Sequence, residues 1–164
     1  MSKRQKILAG MAAGLVWAIG IVWIGAALVD IPIMFLNWSL FFAFFFPGLA
    51  LAAMIARIAQ RRFFDDTIID GEPLSGPAGI DQLVLRNTVE QLVLALALWP
   101  FVGTVLATDG PGVVAALGIG FAIARVLFWV GYHISPPLRA FGFAATFYPT
   151  LVACVWTVLF WVFL

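Results

Sequence analysis

The stretch from Ala124 to Arg139 reads ARVLFWVGYHISPPLR and decides the class of protein to which this chain belongs. It joins the apolar end of one helix, a Ser-Pro-Pro break and the basic start of another apolar segment. An arginine inside hydrocarbon costs at least ~2.5 kcal/mol, so Arg125 requires a partner or a function there. The stretch therefore predicts two membrane-spanning helices and marks a place where a functional site is expected.

The composition of the whole chain predicts an all-α integral membrane helical bundle. Of its 164 residues 64% are hydrophobic and 10% charged, with 16 Phe and 7 Trp, which lies outside the range of soluble domains. Long segments offer no polar side to water, so the lipid bilayer is the expected environment. The net charge of +1 and the lack of a nucleic-acid motif argue against a nucleic-acid partner. The single cysteine, Cys154, and the single histidine, His133, exclude an intramolecular disulfide and a multi-histidine metal site, and no metal is expected.

Five apolar stretches are long enough to cross a hydrocarbon core, which takes ~20 residues per helix. We predict a single transmembrane domain over residues 1–164, in which Pro47 kinks the second helix. Four full spans preceded by an interfacial first helix are the alternative. The predicted spans are residues 7–29, 33–59, 80–107, 111–133 and 138–163.

The basic residues predict the orientation, since cytoplasmic ends of spans collect lysine and arginine. With five spans every Lys and Arg falls on one side, whereas the opposite connections hold only Asp30 and Asp109 as charged residues. The amino terminus is therefore expected in the cytoplasm and the carboxyl terminus outside. The polar segment over residues 60–79, rich in Asp, Gly and Pro, is predicted to be a cytoplasmic loop.

Polar residues interrupt two of the apolar stretches toward their predicted cytoplasmic ends. In the third stretch Arg86, Asn87 and Glu90 are separated by intervals of three and four residues, which places Glu90 on one helix face with the other two. In the fourth stretch Arg125 and Tyr132 lie seven residues apart, again on a single face. Neither helix can leave its polar stripe in lipid, so the two stripes are expected to meet.

Each of these residues also has a purely structural interpretation. Arg125 and Glu90 could form a buried ion pair that fixes the helix register without any ligand. Tyr132 and His133 could belong to the aromatic and polar belt at the headgroups, and Arg139 could extend to the lipid headgroups. The residues alone leave both interpretations open.

The order and spacing of these motifs resemble the membrane-associated proteins in eicosanoid and glutathione metabolism, the MAPEG family. The resemblance rests on Asn-x-x-Glu within RNTVEQ (86–91), on ARVLFWVGY (124–132) and on PPLRAFGFAATFYPT (136–150). It extends from about residue 57 to the end of the chain. It therefore implies a four-helix MAPEG-like core at 33–164, with the helix at 7–29 as an additional amino-terminal span.

The resemblance implies a homotrimer in a bacterial inner membrane, with glutathione held between adjacent subunits at the cytoplasmic side. It implies a glutathione-dependent transferase or peroxidase that acts on lipophilic electrophiles, with glutathione as co-substrate. Arginine and glutamate suit this ligand because glutathione carries two carboxylates and an amine. By motif position, Arg139 resembles the catalytic arginine that stabilises the thiolate. The residues implied to bind glutathione are Arg86, Asn87, Glu90, Arg125 and Tyr132.

Three positions depart from the family's pattern. Gln82 and Leu83 stand where glutathione-using members usually carry Glu-Arg, and Phe128 replaces a tyrosine. Two lost polar contacts, each worth ~1 kcal/mol or more, would weaken a glutathione site about tenfold or beyond. A non-catalytic membrane protein that binds a lipid or a partner protein is therefore the alternative hypothesis. A small transporter is a weaker one, because the polar residues form no path across the membrane.

Overall fold

The computed structural model describes residues 2–64 and 74–163, which are helical apart from short connections. All five helices are long and apolar enough to cross a membrane, the first one included, so the prediction of an all-α membrane bundle with five spans is confirmed. A 3₁₀ turn over Ile33–Phe35 leads directly into the second helix. The helices are α1 Lys3–Ala27, α2 Leu36–Phe63, α3 Gly76–Val105, α4 Gly110–Ile134 and α5 Pro136–Phe163.

The polar connection between α2 and α3 is shorter than the predicted loop over residues 60–79. Helix α2 continues to Phe63, and its last turn carries two arginines that interact favourably with the carboxyl end of the helix dipole. Helix α3 begins at Gly76 with a proline in its first turn, where the missing N–H costs no hydrogen bond. Both ends of the predicted loop are therefore helical, and residues 65–73 lie outside the described part of the chain.

Helix α4 is the centre of the bundle and contacts each of the other four helices. Its residues Leu117 and Phe121 form the core together with Trp99 of α3. The Trp99 ring stacks on Phe44 of α2 with the centroids 5.4 Å apart, and its Nε1 donates to Thr150 Oγ1 of α5 at 3.2 Å. One side chain thus joins α2 and α5 to the α3–α4 interface.

Helix α1 packs against α5 and α4, and within the described residues it forms no interface with α2 or α3. Two glycines in the sequence GMAAG, Gly10 and Gly14, face α5 at points where a side chain would overlap the Pro137 carbonyl and the Ala144 Cβ. Gly25 gives α1 the same close approach to α4. The spacing of small residues is therefore used inside one chain to dock the amino-terminal helix.

Helix α2 passes through Pro47 in the middle of its length. Because proline has no N–H, the Ala43 carbonyl lacks its usual donor within the helix. Gly118 of α4 lies against that carbonyl, closer than a Cβ at this position would allow. The proline is accommodated by close packing of α2 on α4, and the kink expected at Pro47 stays a prediction.

Seven of the nine lysines and arginines predicted on one side of the membrane lie at one end of the bundle, called the basic end below, whereas Arg86 and Arg125 lie deeper within their spans. This end is formed by the starts of α1, α3 and α5 and by the ends of α2 and α4. The end of α2 meets the start of α3 through an ion pair between Arg61 Nε and Asp81 Oδ2 at 2.6 Å. The end of α4 joins them through Trp129 Nε1, which donates to Asp81 Oδ1. The connections that carry Asp30 and Asp109 lie at the opposite end.

Replacement of Gly14 by alanine is expected to weaken the docking of α1. The added methyl group would overlap the Ala144 Cβ, and overpacking of this kind costs ~1–3 kcal/mol. Gly20 on the same helix has nothing within 4 Å of an added Cβ, so Gly20→Ala should stabilise the helix by ~0.5–1 kcal/mol. The free energies of unfolding of the two variants in detergent should therefore move in opposite directions. Equal changes for the two variants would contradict the packing of α1 on α5.

Candidate functional site

Arg125 of α4 is fully buried, with 0% of its surface exposed. Its Nε and Nη2 donate to Thr146 Oγ1 of α5 at 2.9 and 2.6 Å, and Nη2 also donates to the Gly142 carbonyl at 3.1 Å. Its Nη1 donates to Asn87 Oδ1 of α3 at 2.9 Å. One guanidinium group therefore links three helices at the same depth in the bundle.

The charge of Arg125 is balanced by dipoles and aromatic rings. In the described part of the chain no carboxylate forms a salt bridge with it, and Glu90 pairs with Arg86 instead. The Arg125 Cζ lies 4.3 Å from the centroid of the Phe128 ring, a cation–π contact that strengthens when water is excluded. The two polar stripes meet, as predicted, but the alternative of a buried Arg125–Glu90 ion pair is wrong.

Asn87 carries this polar network from the core to the outer face of α3. Its Nδ2 donates to Glu90 Oε2 at 3.4 Å, and Glu90 Oε1 accepts from Arg86 Nε at 3.2 Å. The Arg86 and Glu90 side chains are 76% and 55% exposed in the single chain. One amide therefore connects a buried cation to an exposed ion pair.

The Arg86–Glu90 pair lies far from either end of α3. Because α3 begins at Gly76, earlier than predicted, Glu90 stands about 21 Å along a helix of about 45 Å. A charged side chain near the centre of a bilayer costs ~2.5 kcal/mol or more when it contacts acyl chains. The exposed side of this pair therefore requires cover by protein or by a polar ligand.

Arg139 lies in the first turn of α5, directly after the break that follows α4. The break is tight, since any side chain at Gly131 would overlap the Arg139 backbone. The Arg139 Cζ lies 4.9 Å from the centroid of the Tyr132 ring in a cation–π contact. Tyr132 packs edge-on against Phe128, with the ring centroids 5.1 Å apart.

All six residues implied for the site belong to one unbroken series of contacts. The exposed ion pair stands at one end of the series and Arg139 at the other, and the buried guanidinium of Arg125 lies between them. Phe128, at which the family's tyrosine is replaced, is the single additional link. In order, the series is Arg86, Glu90, Asn87, Arg125, Phe128, Tyr132 and Arg139.

Sequence analysis missed a second polar cluster, at the basic end. Asp81 of α3 is 2% exposed, and it accepts from Arg61 and Trp129 while His133 Nε2 lies 3.1 Å from its Oδ1. The spacing of Trp129 and His133, four residues apart on one helix face, was the available signal. Thr146 offered no signal, because a threonine in an apolar helix usually bonds its own backbone.

A large apolar cavity is separate from this polar series. It has a volume of about 850 Å³ and lies between α1, α2 and α4, toward the end of the bundle opposite the basic end. Its walls are apolar apart from Ser39, and none of the implied site residues lines it. The described residues also contain no group of three His, Cys, Asp or Glu side chains able to hold a metal ion.

The described residues form five membrane-length helices, and a buried, hydrogen-bonded arginine joins three of them. This arrangement defines a polytopic helical membrane protein with a polar network inside its span. The sequence matches the MAPEG family over residues 35–159, which comprise α2, α3, α4 and most of α5. The chain belongs to the MAPEG family. Helix α1 stands outside the matched part, as expected for an additional amino-terminal span. Comparisons with curated proteins and with solved structures gave no match.

Replacement of Arg125 by lysine is expected to destabilise the bundle strongly. One ammonium group cannot reach Asn87, Thr146 and the Gly142 carbonyl together. Each buried polar group left without a partner costs ~1–3 kcal/mol, so the free energy of unfolding in detergent should fall by ~2–4 kcal/mol. The Arg62→Gln change is the matched control, because Arg62 is exposed at the end of α2, and the expected loss is no more than ~0.5 kcal/mol. If both variants were equally stable, Arg125 would not be the residue that holds α3, α4 and α5 together.

Proposed function

We propose that this protein is a glutathione-dependent transferase or peroxidase that acts on lipophilic electrophiles. The observation that carries the proposal is the unbroken series of contacts from Arg86 to Arg139, because it gathers the implied site residues from three helices. Membership of the MAPEG family supports the same class of activity.

The exposed ion pair offers the groups that a charged tripeptide needs. Arg86 can hold a glutathione carboxylate through two parallel hydrogen bonds, and Glu90 can accept from the ammonium group. Asn87 adds a side-chain amide, and its carbonyl oxygen is held in place by a hydrogen bond from Arg125. Because Arg125 is fully buried, we assign it to positioning Asn87 for the ligand.

Arg139 is proposed to stabilise the thiolate form of glutathione. The pKa of a free thiol is about 8.5, so most of it is protonated at neutral pH, and a nearby guanidinium favours the anion. The thiolate attacks the electrophilic carbon, and a carbon–sulfur bond forms as the leaving group departs with its electron pair. The Tyr132 ring holds the guanidinium that this step requires.

The functional unit is proposed to be a homotrimer in which a neighbouring subunit covers the outer face of α3. Helix α1 cannot provide this cover, since it packs on α4 and α5. Glutathione would then lie between subunits, and the lipophilic electrophile would enter from the bilayer. The exposed residues of α3 on this face include Leu83, Arg86, Glu90 and Val93.

The proposed location is a bacterial inner membrane, with the amino terminus and the basic end in the cytoplasm and the carboxyl terminus outside. The collection of lysines and arginines at one end of the bundle supports this orientation, because basic residues are enriched on the cytoplasmic side. Reduced glutathione would then be supplied from the cytoplasm.

Arg139→Gln is expected to abolish thiolate formation in the purified protein. With glutathione added, the unchanged protein should show ultraviolet absorption of a thiolate and should conjugate a general electrophile. Both signals should fall at least tenfold in Arg139→Gln, since the cation that stabilises the anion is lost. Arg62→Gln is the matched control, because Arg62 is an exposed arginine of the basic end outside the contact series, and it should retain both signals.

A non-catalytic member of the family is the second candidate, and the apolar surface beside the ion pair favours it. Leu83 is 53% exposed where glutathione-using members carry an arginine, and Phe128 brings no hydroxyl to the series. Calorimetric titration separates the two candidates. Absence of heat with millimolar glutathione, together with no thiolate absorption, would exclude the transferase and leave a lipid or a partner protein as the ligand.

A photoreactive label placed on the outer face of α3 is expected to cross-link neighbouring subunits. Val93 is 59% exposed one turn after Glu90, so Val93→Cys in a Cys154→Ser background, labelled with a benzophenone maleimide, should yield covalent dimers on illumination. Val16 of α1 is 72% exposed on a helix that we expect to face lipid, and Val16→Cys should remain monomeric in the same gel assay. Cross-linking through Val16 alone would contradict the proposed arrangement.

A further inference from the structure

The Asp81 cluster at the basic end forms a polar site that the proposed thiol chemistry does not use. Asp81 Oδ2 accepts from Arg61 Nε at 2.6 Å, and Oδ1 accepts from Trp129 Nε1 at 2.7 Å with His133 Nε2 at 3.1 Å. These four side chains come from α2, α3 and α4. A buried carboxylate therefore holds an arginine and a histidine at the surface of the bundle.

A cleft opens beside this carboxylate, with a volume of about 310 Å³. Roughly ten water molecules fill such a volume in liquid water. The cleft is therefore large enough for a phosphate group and its neighbouring atoms. The cleft is lined by Arg57, Arg61, Asp81, Trp129, Val130 and His133.

The charges on the cleft favour an anion. Asp81 is 2% exposed, and neighbouring side chains engage both of its oxygens. Its single negative charge therefore offsets the charge of Arg61 and leaves that of Arg57 unbalanced. Arg57 lies one turn before Arg61 on the same face of α2, is exposed, and donates to the neutral Gln60 at 2.6 Å. A guanidinium at such a position can bind a phosphate through two parallel hydrogen bonds.

The position of the cleft indicates where the phosphate comes from. It lies at the basic end, within the last two turns of α2 and of α4, where spanning helices meet the headgroup layer and where Trp and Arg side chains are enriched. We propose that this cleft binds the phosphate of an acidic phospholipid through Arg57, Arg61 and His133. A zwitterionic headgroup is disfavoured, because its ammonium group would face the same two arginines.

The test measures lipid affinity in the full chain by native mass spectrometry in detergent. The unchanged protein should retain phosphatidylglycerol and should bind phosphatidylcholine at least tenfold more weakly. Arg57→Gln should lower the affinity for phosphatidylglycerol about tenfold, the loss expected for one charged hydrogen-bonding partner, and should leave phosphatidylcholine unaffected. Arg57 is exposed and contacts Gln60 rather than Asp81, so this change leaves the buried cluster intact.

Arg62→Gln is the matched control, because Arg62 is the next exposed arginine of the same helix end and lines a different cavity. If both variants lost affinity for phosphatidylglycerol equally, the binding would reflect the overall charge of the basic end, and the proposal of a specific site would be wrong. Competition with inorganic phosphate tests whether the cleft binds a lipid phosphate or free phosphate. Displacement of phosphatidylglycerol by millimolar phosphate would overturn the lipid assignment, whereas its retention would support it. None of these measurements depends on glutathione, so their failure is distinguishable from that of the transferase proposal.

Discussion

The buried guanidinium of Arg125 is the constraint on which the rest of this bundle depends. It lies in the interior of a membrane protein, and its charge is met by Asn87, Thr146, the Gly142 carbonyl and the face of Phe128. Water cannot replace any of these partners inside a bilayer, so each hydrogen bond lost would leave a costly unsatisfied group. The crossing of α3, α4 and α5 is therefore fixed where these groups converge.

The interface between α3 and α4 is held by polar contacts at two depths, with an apolar layer between them. At the basic end Asp81 meets Trp129 and His133, and deeper in the bundle Asn87 meets Arg125. The residue numbers of α3 rise as those of α4 fall, as antiparallel neighbours require. Hydrogen bonds are directional, so two such contacts fix the register of these helices more strictly than apolar packing alone.

The amino-terminal helix adds a span without covering the polar face of α3. Helix α1 uses glycines to approach α5 and α4 closely, which buries its small-residue face and leaves its large apolar side chains outward. The charged pair of Arg86 and Glu90 consequently stays exposed on the opposite part of the bundle. The proposed oligomer through α3 would cover this pair, whereas a monomer would leave it against acyl chains.

The sequence by itself determined the class of fold, because a span needs about twenty apolar residues and this requirement is read directly from composition. It also predicted the meeting of the polar stripes of α3 and α4, since spacing on a helix fixes which side chains share a face. The six site residues implied by the family resemblance stay a prediction. Only the tertiary structure decided the partners of each charge. Arg125 bonds to Asn87 and Thr146 rather than Glu90, and Asp81 contacts residues from two other helices. These pairings depend on how far each helix is shifted and rotated against its neighbours, and that geometry is set by packing between segments distant in the chain, which no local pattern records.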